Sequence, residues 1–178
     1  YVAASESLSN ANNELYLFHR GQKHHISYHE GDVQFGAYTF SPDSSTLYYS
    51  TNQHGAFVQS WKYDIENKEH HVDHFADWDI ASVAFSQHGQ FKVVSTNEDA
   101  STTVTIRDTR SDPLIDTSTF PSGELFGFNA PSHGEYFIFY ADSDTSPANL
   151  YQFDVATGSI TQLTTSLPEV IAPENLMK

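Results

Sequence analysis

Apolar and polar residues alternate along this chain in short runs, such as TLYYS at 46–50, FKVVS at 91–95 and YFIFY at 136–140. Alternation of period two puts successive side chains on opposite faces of a strand. No window of ten or more residues carries the 3.6-residue period of an amphipathic helix, and Gly, Pro, Asn, Asp and Ser interrupt the chain every few residues. The pattern predicts an all-β fold of short strands joined by turns.

The strands recur. FSPDS at 40–44 precedes TLYYS, FSQHG at 85–89 precedes FKVVS, and APSHG at 130–134 precedes YFIFY. Ser44, Gly89 and Gly134 are therefore spaced by 45 and 45 residues. A second series, WKYD, TIRD and YQFD, ends at Asp64, Asp108 and Asp154, with LYLFH ending at His19 upstream. Its best-formed copy is SPANLYQFDVATGSITQLT at 146–164, where runs at 149–153 and 159–163 flank a turn. Asp154 is placed to accept hydrogen bonds from the amides after it, and Gly158 to supply a positive φ.

Each unit reads strand, turn, strand, longer loop, strand, turn, strand. Four antiparallel strands repeating every 40–50 residues or so predict β-propeller blades, whose sheets bury their faces against neighbouring blades. The expected architecture is a partial β-propeller at 1–164, with an incomplete blade at 1–28, blades at 37–74, 80–117 and 124–164, and an exit linker at 165–178. Tyr48, Val93 and Ile138 occupy equivalent places and are expected in the core between blades. Ser5 lies as far before His19 as Ser50 before Asp64, so the first residues are expected to form a second strand whose partner is missing. The chain opens on Tyr1, with no Met and no charged-then-apolar leader. It is expected to be a piece of something larger.

Composition fits this picture and narrows the partners. Aromatics are 14% of the 178 residues, which favours strands. Eight Lys and Arg stand against 23 Asp and Glu, for a net charge of -15. Such a surface repels phosphate backbones and anionic headgroups, so neither nucleic acid nor membrane is an expected partner. There is no cysteine, hence no disulfide, thiolate metal site or cysteine nucleophile. The compartment is left open.

Ten histidines raise the question of a metal. They include one group at His24, His25 and His29 and another at His70, His71 and His74 around Asp73. On a strand, His70 and His74 share a face but stand about 13 Å apart, too far for one ion. Solvated or hydrogen-bonded histidines are the expectation, with no metal and no cofactor. Ser86 and Ser132 lie near His88 and His133, but in the repeat turns, where Ser41 and Asp43 occupy the same positions. No GxSxG elbow occurs. The carboxylate pairs Asp142/Asp144 and Asp77/Asp79 read as loop residues. Gly31 and Gly36 are too isolated for a phosphate cradle. No catalytic, cofactor-binding or metal-binding residue is assigned.

FSPDS before TLYYS, then SPANLYQFDVATGSITQLT, then TSLPEVIAPENLMK resembles the last propeller blades of the prolyl oligopeptidase family of serine peptidases, especially its acylaminoacyl and dipeptidyl branches. The blade repeats also resemble Tol-type and WD-repeat-like propellers. The resemblance implies a non-catalytic propeller that gates peptide access to an α/β-hydrolase domain following the linker, the catalytic Ser, Asp and His lying there. The contrasting class is a stand-alone scaffold or binding propeller. Expected partners are the hydrolase domain, peptides in the parent enzyme, and a second copy through open apolar blade faces. The chain alone is expected to dimerise. Light scattering at moderate concentration checks this, and a monomeric mass would count against it.

Overall fold

The computed structural model describes residues 1–130 and 135–168, and every strand within them is antiparallel. No helix occurs among the described residues, so none is long and apolar enough to cross a membrane. Among the described residues fifteen strands form four sheets. The first is three-stranded, of β1 (Val2–Ser9), β2 (Asn12–His19) and β3 (Gln22–His25) in that order. The second is β4 (Phe35–Phe40), β5 (Thr46–Thr51), β6 (Gln59–Asp64) and β7 (Glu69–His74). The third is β8 (Asp79–Phe85), β9 (Phe91–Glu98), β10 (Ser101–Asp108) and β11 (Leu114–Ile115). The fourth is β12 (Glu124–Asn129), β13 (Tyr136–Ser143), β14 (Ser146–Asp154) and β15 (Ile160–Gln162). Each sheet is a meander of sequence neighbours, which is the blade pattern, and the fold is a partial β-propeller.

The chain divides into two compact units, Tyr1–Ala84 and Phe85–Lys178. In the first, β2 and β5 alternate strictly, sending Leu15 and Leu17, then Leu47 and Tyr49, into a core with Ile26, Val33, Phe35 and Tyr63. In the second, Phe91, Val104, Ile106, Phe137, Phe139 and Phe153 are buried together. The Phe139 ring lies 4.8 Å from those of Phe120 and Phe128. Full burial of one such side chain contributes about 1.5–3 kcal/mol.

The 45-residue repeat is a repeat of turn chemistry. The Ser41 N–H donates to the Thr46 carbonyl at 2.8 Å, and its Oγ accepts from the Thr46 N–H at 3.0 Å. Ser86 makes the same two bonds with Phe91, at 2.9 and 3.0 Å. The residue three places after each serine takes a left-handed backbone, Ser44 at φ 60° and Gly89 at φ 71°. The third copy, at 131–134, lies outside the described residues.

The second series of turns is built on aspartate. Oδ1 of Asp64 accepts from the Glu66 and Asn67 N–H groups, that of Asp108 from Arg110 N–H, and that of Asp154 from Thr157 N–H and its hydroxyl. Four residues after each aspartate the chain turns left-handed, at Lys68, Asp112 and Gly158. The roles assigned to Asp154 and Gly158 in the 146–164 hairpin are those observed. Asn149, fully buried behind this hairpin, donates to Ser146 Oγ and the Pro147 carbonyl and accepts from Ser166 N–H at 2.7 Å. It thereby ties the start of the segment after β15 to the sheet.

Two expectations need correcting. A longer loop joins the second and third strands only in the second sheet, between Thr51 and Gln59. In the third and fourth sheets two-residue turns do this, at Asp99–Ala100 and Asp144–Thr145. Asp99 and Ala100 both have positive φ, which matches the right-handed twist of the strands they join. Of the three equivalent apolar positions, Val93 is buried, whereas Tyr48 and Ile138 are half-buried. The closed faces of β5 and β13 carry Leu47 with Tyr49 and Phe137 with Phe139. Tyr48 and Ile138 sit one residue out of phase with these and point to the other face.

Three outcomes follow for stability. Leu47→Ala, which opens a cavity at a fully buried position, should cost about 2–5 kcal/mol in denaturant unfolding. Gly89→Ala should cost about 1–2 kcal/mol for its left-handed backbone, whereas Ser44→Gly, which relieves the same strain against a looser unfolded chain, should stabilise by up to about 1 kcal/mol; a destabilising Ser44→Gly would contradict a turn shared by the two sheets. The third concerns pH. Hydrogen bonds from the Thr157 hydroxyl and N–H hold the Asp154 carboxyl below its ordinary value of 3.8. A carboxyl lowered on folding stabilises the fold above its unfolded pKa and stops doing so as pH falls through its folded pKa. The gap in thermal midpoint between wild type and Asp154→Ala should therefore be constant near neutrality and close below pH 3.8. A gap that widens in acid contradicts this assignment.

Candidate functional site

Histidines converge at two places in the first unit. On β2, Glu14 points its carboxylate at the segment that follows β3. Ser27 Oγ donates to Glu14 Oε2 at 2.6 Å and accepts from the Leu15 N–H at 2.6 Å. His25 Nε2 contacts the same Oε2, and His29 Nε2 lies 3.5 Å from Oε1. Burial disfavours ionisation of Glu14, but the hydrogen bonds from Ser27 and His25 and the potentials of His25 and His29 outweigh it, and its pKa falls below 4.5. The His29 side chain is only 4% exposed and packs on the Phe35 ring at 5.4 Å. Both of its ring nitrogens lack a hydrogen-bond partner.

This network contains a serine, a histidine and a carboxylate, yet its geometry is not that of a nucleophilic triad. A triad runs acid to Nδ1 and Nε2 to hydroxyl, so that the imidazole relays a proton. Here the hydroxyl and the acid meet the same ring nitrogen of His25, and Ser27 spends its proton on the acid directly. Ser27 is also 2% exposed, beyond the reach of a substrate carbonyl. The arrangement ties β2 to the chain leaving β3.

The second place is β7, beginning at its N-terminal end. His70 Nδ1 lies 2.8 Å from the Tyr49 hydroxyl, with the Tyr63 ring at 4.8 Å. Burial against these rings pushes the His70 pKa down, with the charge of His71 adding to it, and burial also raises the pKa of Tyr49. A neutral imidazole and a protonated phenol result. His71 lies 3.4 Å from Glu69, and Asp73 accepts from Ser60 Oγ at 2.8 Å. His74 stands opposite Ser60 in the register. His70 and His71 thus have separate partners, and no group of three or more His, Cys, Asp or Glu among the described residues is arranged to hold a metal ion.

The remaining sequence candidates fall into structural roles. Ser86 is the hub of its turn, and Ser132 and His133 lie outside the described residues. Asp79 and Asp142, expected in loops, lie instead in β8 and β13: Asp79 Oδ1 accepts from the Val58 N–H at 2.7 Å, and Asp142 pairs with Glu124 in the register. Gly31 sits in a left-handed position with open space around it.

Between β3 and the β6–β7 hairpin runs a groove of about 600 Å³. His19, Lys23, His24, His25, Lys68 and His70 line it, over a floor that includes Tyr63 and Ile26. Lys23 Nζ stands 3.6 Å from the centre of the Tyr16 ring and 3.4 Å from Glu6. Sequence reasoning grouped these histidines by proximity in the chain and missed the groove, which joins residues more than 40 positions apart. The available signal was KHH at 23–25, a basic run in an acidic chain.

Comparison with known proteins places this architecture. No curated protein sequence matches the chain. Among solved structures, prolyl oligopeptidase B from Galerina marginata, bound to a 35mer hydrolysis and macrocyclization substrate, is similar with a TM-score of 0.69 at 15% identity. That likeness covers 92% of this chain and 24% of the other. A puromycin-hydrolyzing peptidase of Mycobacterium tuberculosis gives a TM-score of 0.66 at 14% identity, over 90% of this chain and 25% of that one. TolB from Acinetobacter baumannii gives 0.60 at 18%, over 86% of this chain and 38% of that one. At such identities the likeness is one of fold, and this chain spans about a quarter of the length of the two peptidases. The sequence profile described as the prolyl oligopeptidase N-terminal beta-propeller domain matches residues 7–166, nearly the whole length. The chain belongs to the prolyl oligopeptidase N-terminal β-propeller family.

Proposed function

We propose that this chain is the non-catalytic, substrate-gating propeller of a prolyl oligopeptidase-like serine peptidase, attached to an α/β-hydrolase domain that supplies the catalytic residues. The observation that carries this reading is the family match over residues 7–166. Two further facts support it. The chain spans only 24% of the prolyl oligopeptidase B structure it resembles, which leaves length for a second domain. Ser27, which meets both a histidine and a carboxylate, is buried and wired against proton relay. In this role the propeller admits short peptides and excludes folded proteins by size.

A second reading, a binding propeller with no enzyme attached, draws on the likeness to TolB, with its TM-score of 0.60. The two readings part on chemistry. This chain alone should not react with a fluorophosphonate probe, and specific labelling of one serine would refute the non-catalytic assignment. In the parent enzyme, removing the propeller while keeping the hydrolase domain folded should extend cleavage from short peptides to folded or long substrates. An unchanged size limit contradicts gating.

A further inference from the structure

The groove between β3 and the β6–β7 hairpin departs from the rest of the molecule in charge. Acidic residues outnumber Lys and Arg by 23 to 8, yet none of the residues lining the groove is Asp or Glu. Two lysines and four histidines line it instead. The cavity in the second unit shows the contrast, since Asp108, Glu135 and Asp154 all line it.

Groups behind the groove orient His70 and Lys23 and fix the backbone of Lys68. The Tyr49 hydroxyl is buried and keeps its proton, and His70 Nδ1 is its hydrogen-bond partner. A buried phenol donates where it can, so Nδ1 accepts and the His70 proton sits on Nε2, which is left as a donor. Lys68 occupies the left-handed position of the Asp64 turn, its N–H fixed to the Asp64 carbonyl at 2.9 Å, and no carboxylate pairs with its ammonium among the described residues. Lys23 is steered by the Tyr16 ring and pairs at 3.4 Å with Glu6, both side chains about half exposed, so an incoming anion exchanges with that carboxylate. Tyr28, 75% exposed, and Tyr63 add ring surface beside these donors. Ammonium and imidazole N–H groups around an apolar floor match an oxyanion carried on a flat apolar body.

We infer that this groove binds a small aromatic oxyanion, its head held by Lys23, Lys68 and His70 and its ring laid against Tyr63 and Tyr28. Phosphate and carboxylate heads share the required chemistry. The site is independent of the gating role, since it uses one unit of the chain and no hydrolase residue.

The test is an amide chemical-shift titration of the intact chain with phenyl phosphate, benzoate and phenol at low ionic strength. Both anions should give saturable shifts centred on Lys23, His24, Lys68 and His70, with phenol weaker by about tenfold or more. The tighter of the two anions identifies the natural head group. The Lys23→Ala/Lys68→Ala double variant, altered only at exposed side chains, should weaken both anions about tenfold and leave phenol unchanged; His70→Gln should weaken them while keeping the fold. The proposal is overturned if neither anion saturates below about 20 mM, if phenol binds as well as the anions, or if the double variant binds the anions as wild type does.

Discussion

The structure depends on one constraint: a meander of four short strands has two faces and cannot bury both by itself. Each sheet here closes a face with aliphatic and aromatic side chains, Leu47 and Tyr49 in the first unit and Phe137 and Phe139 in the second. What allows the same solution to recur is the turn chemistry. Serine closes the first hairpin of a sheet through its backbone and its hydroxyl, and aspartate closes the last by capping amides. In each case one left-handed residue reverses the chain, so the sequence must place glycine there or accept strain at Ser44 or Lys68. Strand order, register and the exposed loop ends follow from those turns.

Much of the fold was legible for this reason. The spacing of Ser44 and Gly89 and of Asp64, Asp108 and Asp154 records the turns directly, because local hydrogen bonding selects those residue types. The roles of Asp154 and Gly158 could be assigned from the sequence alone. Side-chain parity was less legible. Tyr48 and Leu47 are adjacent and both apolar, and only the packing of neighbouring strands decides which of them faces the closed side. The two-residue turn at Asp99–Ala100 was hidden because alanine is not a residue that announces positive φ.

The candidate sites were less legible still, since they are assembled from distant positions. Glu14 meets Ser27, His25 and His29 only because β2 and β3 pair and the chain then folds back over them. The groove brings Lys23 beside Lys68 and His70 through the neighbouring sheet. The histidines that suggested a metal in sequence are divided among a carboxylate, a phenol and the groove wall. In a chain of such negative charge one groove is lined by lysines and histidines, with Glu6 and Glu14 reaching two of them, and that is a property of the fold that no local motif encodes.

The central claim is that this propeller serves a serine peptidase. The most direct measurement is the sequence of the gene that follows the codon for Lys178. A hydrolase domain there, with a GxSxG elbow followed in order by an aspartate and a histidine, is the predicted result. A stop codon shortly after Lys178 would contradict the account and favour a binding propeller with no enzyme attached.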